Sequence, residues 1–407
     1  MGDILFLSHR VPFPPDRGDK IRSHNLLKGL AKLGPVHVAT FGETRQDMAQ
    51  KHELKALAKS HVLIERKRPL WLSGIEAVVT GKPVSLLAFE DLALRSYVRR
   101  TLRDHRIDTI FVFSGQMGQY VPPDFAGRVI VDLCDVDSAK FEAYAKAGQR
   151  RWINAREARL LKIEEERIAR RADTALLISR NEADLLRSRV ADPSGLDIRA
   201  LGNGIDASYF DPEGVELQPD LEEGEDPQLV FTGQMDYAPN VTAVEWVIAE
   251  VMPRLRQRYS RARFHIVGRA PSSALKSRHG ESGVRVWGEV EDVRPFLKSA
   301  DLVVAPLLIA RGVQNKVLEA MAMAKPVVLT KEAATGIDAE DGKHFTVARP
   351  DGQDFVRQIE QLVSNPQRGD ELGSAARSFV VENMGWGSVH AKLAAIVQGE
   401  GVRADAN

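Results

Sequence analysis

Three side chains within nine residues could act together on a phosphorylated ligand: the guanidinium of Arg311, the ammonium of Lys316 and the carboxylate of Glu319. Cations suit a diphosphate and a carboxylate suits sugar hydroxyls, so the set would serve a nucleotide sugar. Lys316 and Glu319 are three residues apart, which puts them on neighbouring faces of a helix. The same spacing also fits an ordinary Lys–Glu pair on a solvated helix face, and spacing alone leaves both readings open.

The elements around these groups are a strand, a loop, a helix and a second strand. Leu302 to Ala305 is a short apolar run that Pro306 ends, because proline cannot donate to a sheet ladder. Gly312 is expected to open the helix, Val317, Leu318, Met321 and Ala322 recur at helical spacing, and Lys325-Pro326 stops it before Val327 to Leu329. In such a βαβ unit the loop after the first strand and the start of the helix face the crevice where ligands bind. The free N–H groups and partial positive charge of the helix N-terminus add to the preference for phosphate.

The segment Arg311-Gly-Val-Gln-Asn-Lys-Val-Leu-Glu-Ala-Met-Ala-Met-Ala-Lys-Pro-Val-Val resembles the donor-site signature of glycosyltransferase family 4, a retaining family with the GT-B fold. That resemblance implies an α/β protein with two Rossmann-like doubly wound domains facing across a cleft. The family signature has two glutamates, and Glu319 matches the second, whose implied role is to hold the ribose of the nucleotide. Arg311 stands at the first, a departure that leaves open which group holds the transferred sugar. The Arg-Gly-Val-Gln-Asn-Lys form is most similar to transferases associated with exosortase and exopolysaccharide systems. The implied activity is metal-independent transfer of a sugar from a nucleoside diphosphate donor to a glycan or lipid-linked acceptor. Arg311, Lys316 and the helix N-terminus would stabilise charge on the leaving phosphate. A nucleotide-sugar epimerase or hydrolase on the same fold, and a non-catalytic sugar-binding assembly protein, are the alternatives.

The remaining donor-side candidates follow the same logic. Leu229 to Thr232 reads as a strand leading into the loop Gly233-Gln-Met-Asp236, which is free of Arg and Lys up to Asn240. By resemblance Gly233 and Asp236 line the donor site, and the missing loop cations shift the diphosphate to Lys316 and Arg311, with Gly312 at the helix start. Phe264 to Gly268 and Val284 to Trp287 read as the next strands, ending at Arg269 and Gly288. Family resemblance places the nucleobase beside Gly288.

On the acceptor side, strand Asp3 to Ser8 runs into a proline-rich loop before a helix from about Ile21 to Lys32. The resemblance to family 4, whose glycine-containing loop lines the cleft at this point, makes Arg10, Gly18 and Lys20 candidates; the glycine would let backbone approach a ligand. Further strands are expected at Val36 to Phe41, His61 to Glu65, Thr109 to Phe113, Val129 to Leu133 and Ala175 to Ser179, an alternation that implies a parallel sheet. At the end of the Val129 strand, Asp135 and Asp137 could meet an acceptor hydroxyl or donor sugar, and Ser138 is a good helix N-cap. Spaced aspartates also suit a divalent metal, but the donor signature lies far downstream and no metal is expected. No HExxH pair and no complete Gly-x-Gly-x-x-Gly occurs, so neither zinc nor a nicotinamide or flavin cofactor is expected.

A chain of 407 residues with 43% hydrophobic and 28% charged composition predicts a globular protein of two domains. The expected division is 1–205 for the acceptor domain, 206–227 for a linker and 228–380 for the donor domain. Residues 381–407 would carry a helix, Val389 to Val397, which the GT-B resemblance implies crosses back to the first domain. No apolar run approaches a membrane span, the first ten residues lack a basic leader, and Cys134 is the single cysteine. A cytoplasmic location is expected, with no nucleic-acid partner. Net charge is zero, yet residues 1–200 hold 34 Lys+Arg against 26 Asp+Glu, or +8, and the rest 22 against 30, or −8. The two halves could attract each other, or the basic half could face anionic lipid. Arg66-Lys67-Arg68 beside Trp71 fits peripheral contact with the inner face of a membrane, although a solvated charge run is the commoner reason for such a sequence.

Overall fold

The computed structural model describes residues 2–221, 226–310 and 313–400. Two compact units are present, one made of residues up to Asn203 together with the stretch from Val389, the other of Gly204–Ser388. Each is a parallel sheet with helices between its strands, the doubly wound arrangement that the alternating pattern predicts.

In the first unit the strands are β1 (Asp3–Ser8), β2 (Val36–Gly42), β3 (Ser60–Glu65), β4 (Ile107–Phe113), β5 (Arg128–Cys134), β6 (Thr174–Leu177) and β7 (Ile198–Ala200). Their order is β3-β2-β1-β4-β5-β6-β7. β1 pairs in parallel with both β2 and β4, Phe6 facing Val38 and Phe111. A central parallel strand is covered on both faces, which is why Ile4, Leu5, Phe6 and Leu7 are all fully buried. The Gly18–Ala31 helix follows β1 and packs against the last helix of the chain through Gly29, where an added Cβ would lie 2.7 Å from the His390 ring. His390 Nε2 lies 2.8 Å from the Asn25 carbonyl, and Arg128 donates to the Ile396 carbonyl at 3.2 Å. The end of the chain therefore belongs to the first unit's packing.

The second unit holds β8 (Gln228–Thr232), β9 (Arg263–Val267), β10 (Val284–Gly288), β11 (Leu302–Ala305), β12 (Val327–Leu329) and β13 (Thr346–Val347), in the order β10-β9-β8-β11-β12-β13. Its pairings are parallel. One apolar core joins both faces of this sheet, with Phe231, Phe264 and Phe355 fully buried.

Three expectations change. The stretch read as a linker packs onto the second unit: Val215 and Leu221 enter its core, and Lys298 donates to the Val215 carbonyl at 2.6 Å. Ile205 pairs with Gly385, and Trp386 lies so close to Gly204 that a Cβ there would meet its backbone nitrogen at 2.6 Å. The helix over the donor motif begins at Asn315, with Gln314 as N-cap, rather than at Gly312. Ser138 is not an N-cap: Val136 takes that place, and the Ser138 hydroxyl donates to buried Glu165 at 2.5 Å.

Candidate functional site

β8 lies between β9 and β11, so the connections leaving β8 and β11 depart in opposite directions from the C-terminal edge of the sheet. That divergence opens a crevice of the kind in which parallel α/β sheets bind ligands. The Asn315–Ala322 helix starts beside it and buries Val317, Leu318, Met321 and Ala322, the face its spacing predicts. Lys316, in the first turn, is held on the crevice side. Its Nζ donates to Asn240 Oδ1 at 2.5 Å and lies 4.2 Å from the centroid of Phe231. Asn240 Nδ2 in turn donates to the Gln234 carbonyl at 2.9 Å, which orients the amide so that its oxygen faces the ammonium.

The glycines at the strand ends form a ledge under Lys316. Gly233 N–H donates to the Val267 carbonyl at 2.9 Å, and Gly268 N–H to the Gly288 carbonyl at 2.8 Å. A Cβ on Gly233 would lie 2.9 Å from Lys316 Nζ, and one on Gly268 only 1.7 Å from the Gly233 carbonyl oxygen. Neither position has room for a side chain, so backbone itself floors the crevice.

Burial gives this pair unusual acidities. Lys316 is pushed down to about 8 by loss of water, partly offset by Glu319, and Glu319 is pushed up to about 7 by burial, partly offset by Lys316. A half-buried cation and carboxylate with shifted acidities, at a sheet crevice, are the features of a binding or catalytic site.

Of the donor-side candidates, the structure brings Gly233, Gly288, Lys316 and Glu319 to one end of the sheet. Arg269 is exposed at the end of β9, its carbonyl accepting from Met235 N–H at 2.8 Å, and Asp236 is exposed in the β8 loop. Arg311 and Gly312 lie outside the described residues. Sequence reasoning missed Gly268 and Asn240. Asn240 closes the cation-free loop, and an amide at that point was the available signal.

On the acceptor side, two candidates already have partners. Lys20 is buried, its Nζ 2.7 Å from Asp47 and 3.4 Å from the Phe13 carbonyl. Arg10 pairs with Glu43 at 2.8 Å and Asp19 at 3.0 Å. Both cations organise the loop after β1. Gly18 is the first residue of its helix, and a Cβ there would meet nothing within 4 Å. Asp135 is exposed, though loss of water on its protein side, then Glu182 and Asp137, hold its carboxyl above the usual range. Asp137 pairs with Lys140 at 3.0 Å. His9, not anticipated, sits just after β1 between Phe113 and Phe89. Arg10 donates to its Nε2 at 3.1 Å, so the proton is on Nδ1, which is buried with no partner among the described residues.

Among the described residues, Asp3, His37 and His105 gather as a group of metal-ligand types, with ligand atoms within 4.8 Å of one another. Lys59 holds the Asp3 carboxylate at 2.7 Å and His37 Nε2 lies 2.9 Å from it, so these groups already satisfy one another. Asp3 and His37 sit at the start of β1 and β2, the sheet edge opposite the loops that follow those strands.

Residues 226–365, about a third of the chain, match the family model described as glycosyl transferases group 1. The second unit thus carries a glycosyltransferase domain. No curated protein matches the chain by sequence. Among solved structures, sucrose-phosphate synthase from Thermosynechococcus elongatus is similar at 15% identity and TM-score 0.64, covering 98% of this chain and 99% of that one. Anabaena HepE in complex with UDP and glucose is similar at 15% identity and TM-score 0.62, over 98% and 100%. WaaG, a glycosyltransferase involved in lipopolysaccharide biosynthesis, is similar at 15% identity and TM-score 0.59, over 97% and 100%. The fold is GT-B, two Rossmann-like units in one chain.

Proposed function

We propose that this protein is a retaining, metal-independent glycosyltransferase that moves a sugar from a nucleoside diphosphate donor to a glycan or lipid-linked acceptor, in exopolysaccharide or cell-surface glycan synthesis in the cytoplasm. The observation that carries the reading is Lys316, held by Asn240 above the Gly233 ledge with Glu319 one turn on. The ammonium and the helix N-terminus would neutralise the departing diphosphate, and Glu319 would accept from the ribose hydroxyls. Arg311 enters the proposal from the sequence alone, as a second cation for the diphosphate. The acceptor hydroxyl attacks the anomeric carbon on the face that the diphosphate leaves, and its proton passes to the departing phosphate oxygen. Retention rests on the likeness of the Arg311–Val328 segment to family 4. HepE, solved with UDP and with UDP-glucose, supports a uridine nucleotide as the first donor to try.

The test is a panel of UDP- and GDP-sugars scored for nucleoside diphosphate release, with and without a membrane extract as acceptor source. Release that depends on the extract supports transfer. Release without any acceptor points to a hydrolase, and binding without release to an assembly protein.

A further inference from the structure

The Leu70–Thr80 helix is turned the opposite way to an ordinary surface helix. It buries Ser73 and Ala77 and exposes Trp71, Ile75, Val78 and Val79, at 67, 58, 74 and 81%. The first turn of the Arg151–Arg171 helix adds Trp152, 86% exposed, and Ile153, 61%. The two segments are clamped together. Arg156 donates to the Ala77 carbonyl, and Glu157 accepts from Val84 N–H at 2.9 Å and Ser85 N–H at 2.8 Å. Trp152 and Ile153 stand one turn before Arg156 and Glu157 on the same helix.

The surrounding charge is positive. Lys67, Lys82, Arg150 and Arg151 are exposed, and from Tyr144 to Arg156 there are four cations and no Asp or Glu. Arg66 and Arg68, by contrast, face inward: Arg66 pairs with Glu43 at 2.9 Å, and Arg68 pairs with Glu76. The Arg66-Lys67-Arg68 run therefore supplies one outward cation, not three, and that one has Glu65 3.0 Å away. Two exposed tryptophans among aliphatics and cations are the composition of a membrane interface. No helix among the described residues is long and apolar enough to cross a membrane.

We propose that the Leu70–Thr80 helix, with Trp152 and Ile153, docks the first unit reversibly on an anionic lipid bilayer, lying flat in the headgroup region. A second copy of the chain is the other candidate occupant, but it would bring two positive rims face to face. The proposal does not rest on the transferase reading.

The experiment is flotation of the full chain with phosphatidylcholine vesicles, with and without phosphatidylglycerol. Three proteins are compared: wild type, a Trp71→Ser/Ile75→Ser/Val79→Ser variant, and a variant with Gln at Lys67, Lys82, Arg150 and Arg151. Wild type should float with anionic vesicles and release as salt rises. The apolar variant should bind at least about tenfold more weakly. Each cation near the surface is worth about fivefold, so the Gln variant should lose about a hundredfold or more at low salt. Brominated lipid should quench wild-type tryptophan emission, and less so after Trp71→Phe. Thermal melts matching wild type show that both variants fold. Equal flotation of all three proteins would overturn the proposal, as would a wild-type dimer that dissociates in the apolar variant.

Discussion

Replacing Lys316 with Met should impair turnover while leaving the fold as stable or more so. The gap between the usual 10.5 and about 8 corresponds to about 3 kcal/mol by which the site disfavours the charged ammonium. Access of water to a half-buried group, and loss of the 2.5 Å hydrogen bond to Asn240, reduce the gain on removing it to about 1–2 kcal/mol. For a unit of this size that is a rise in melting temperature of about 2–8 °C. The opposite sign is expected for catalysis, where losing a group that stabilises the leaving diphosphate costs about a hundredfold or more in kcat, about 3 kcal/mol. Thermal melting and nucleoside diphosphate release from the responsive donor measure the two effects on one preparation. A site that stores destabilisation for function gives stability up and activity down. Near-normal turnover in the folded variant, or a melting temperature several degrees lower, would refute this account and make Lys316 a structural residue.

The pH profile of kcat/KM for the donor should be a narrow bell, because Glu319 must lose a proton near 7 and Lys316 must keep one to about 8; Glu319→Gln should flatten the acid limb of the residual activity. His265, neutral between Trp287 Nε1 and Gln228, is pushed down to about 4 by burial. Its folded value lies below the unfolded 6.5, so its contribution is complete above 6.5 and is lost as pH falls towards 4; urea midpoints should drop across that window, less steeply in His265→Gln. Asp132→Asn should destabilise the first unit by about 3–5 kcal/mol in equilibrium denaturation, since it leaves buried Arg22, 2.8 Å from Asp132, without its counter-charge. Activity should survive EDTA; loss on chelation with recovery on Mn²⁺ or Mg²⁺ would return the Asp135 and Asp137 pair to consideration as a metal site.

Much of the fold was legible in the sequence because parallel strands covered on both faces appear as continuous apolar runs. β11 and β12 begin and end where Pro306 and Lys325-Pro326 set them, and Lys316 and Glu319 fall on a helix as their spacing requires. β7 and β13, three and two residues long, carry no such run and were missed. The fate of individual charges was not legible either. Lys20 finds Asp47 across 27 residues, Arg66 finds Glu43 across 23, and Lys316 finds Asn240 across 76. Nor does an apolar helix such as Leu70–Thr80 declare which face it buries. Local pattern determines which segments become strands and helices, because backbone geometry and periodic burial act over a few residues. Which cation is neutralised and which apolar face is left to solvent depend on partners that only the packed sheet order brings within reach.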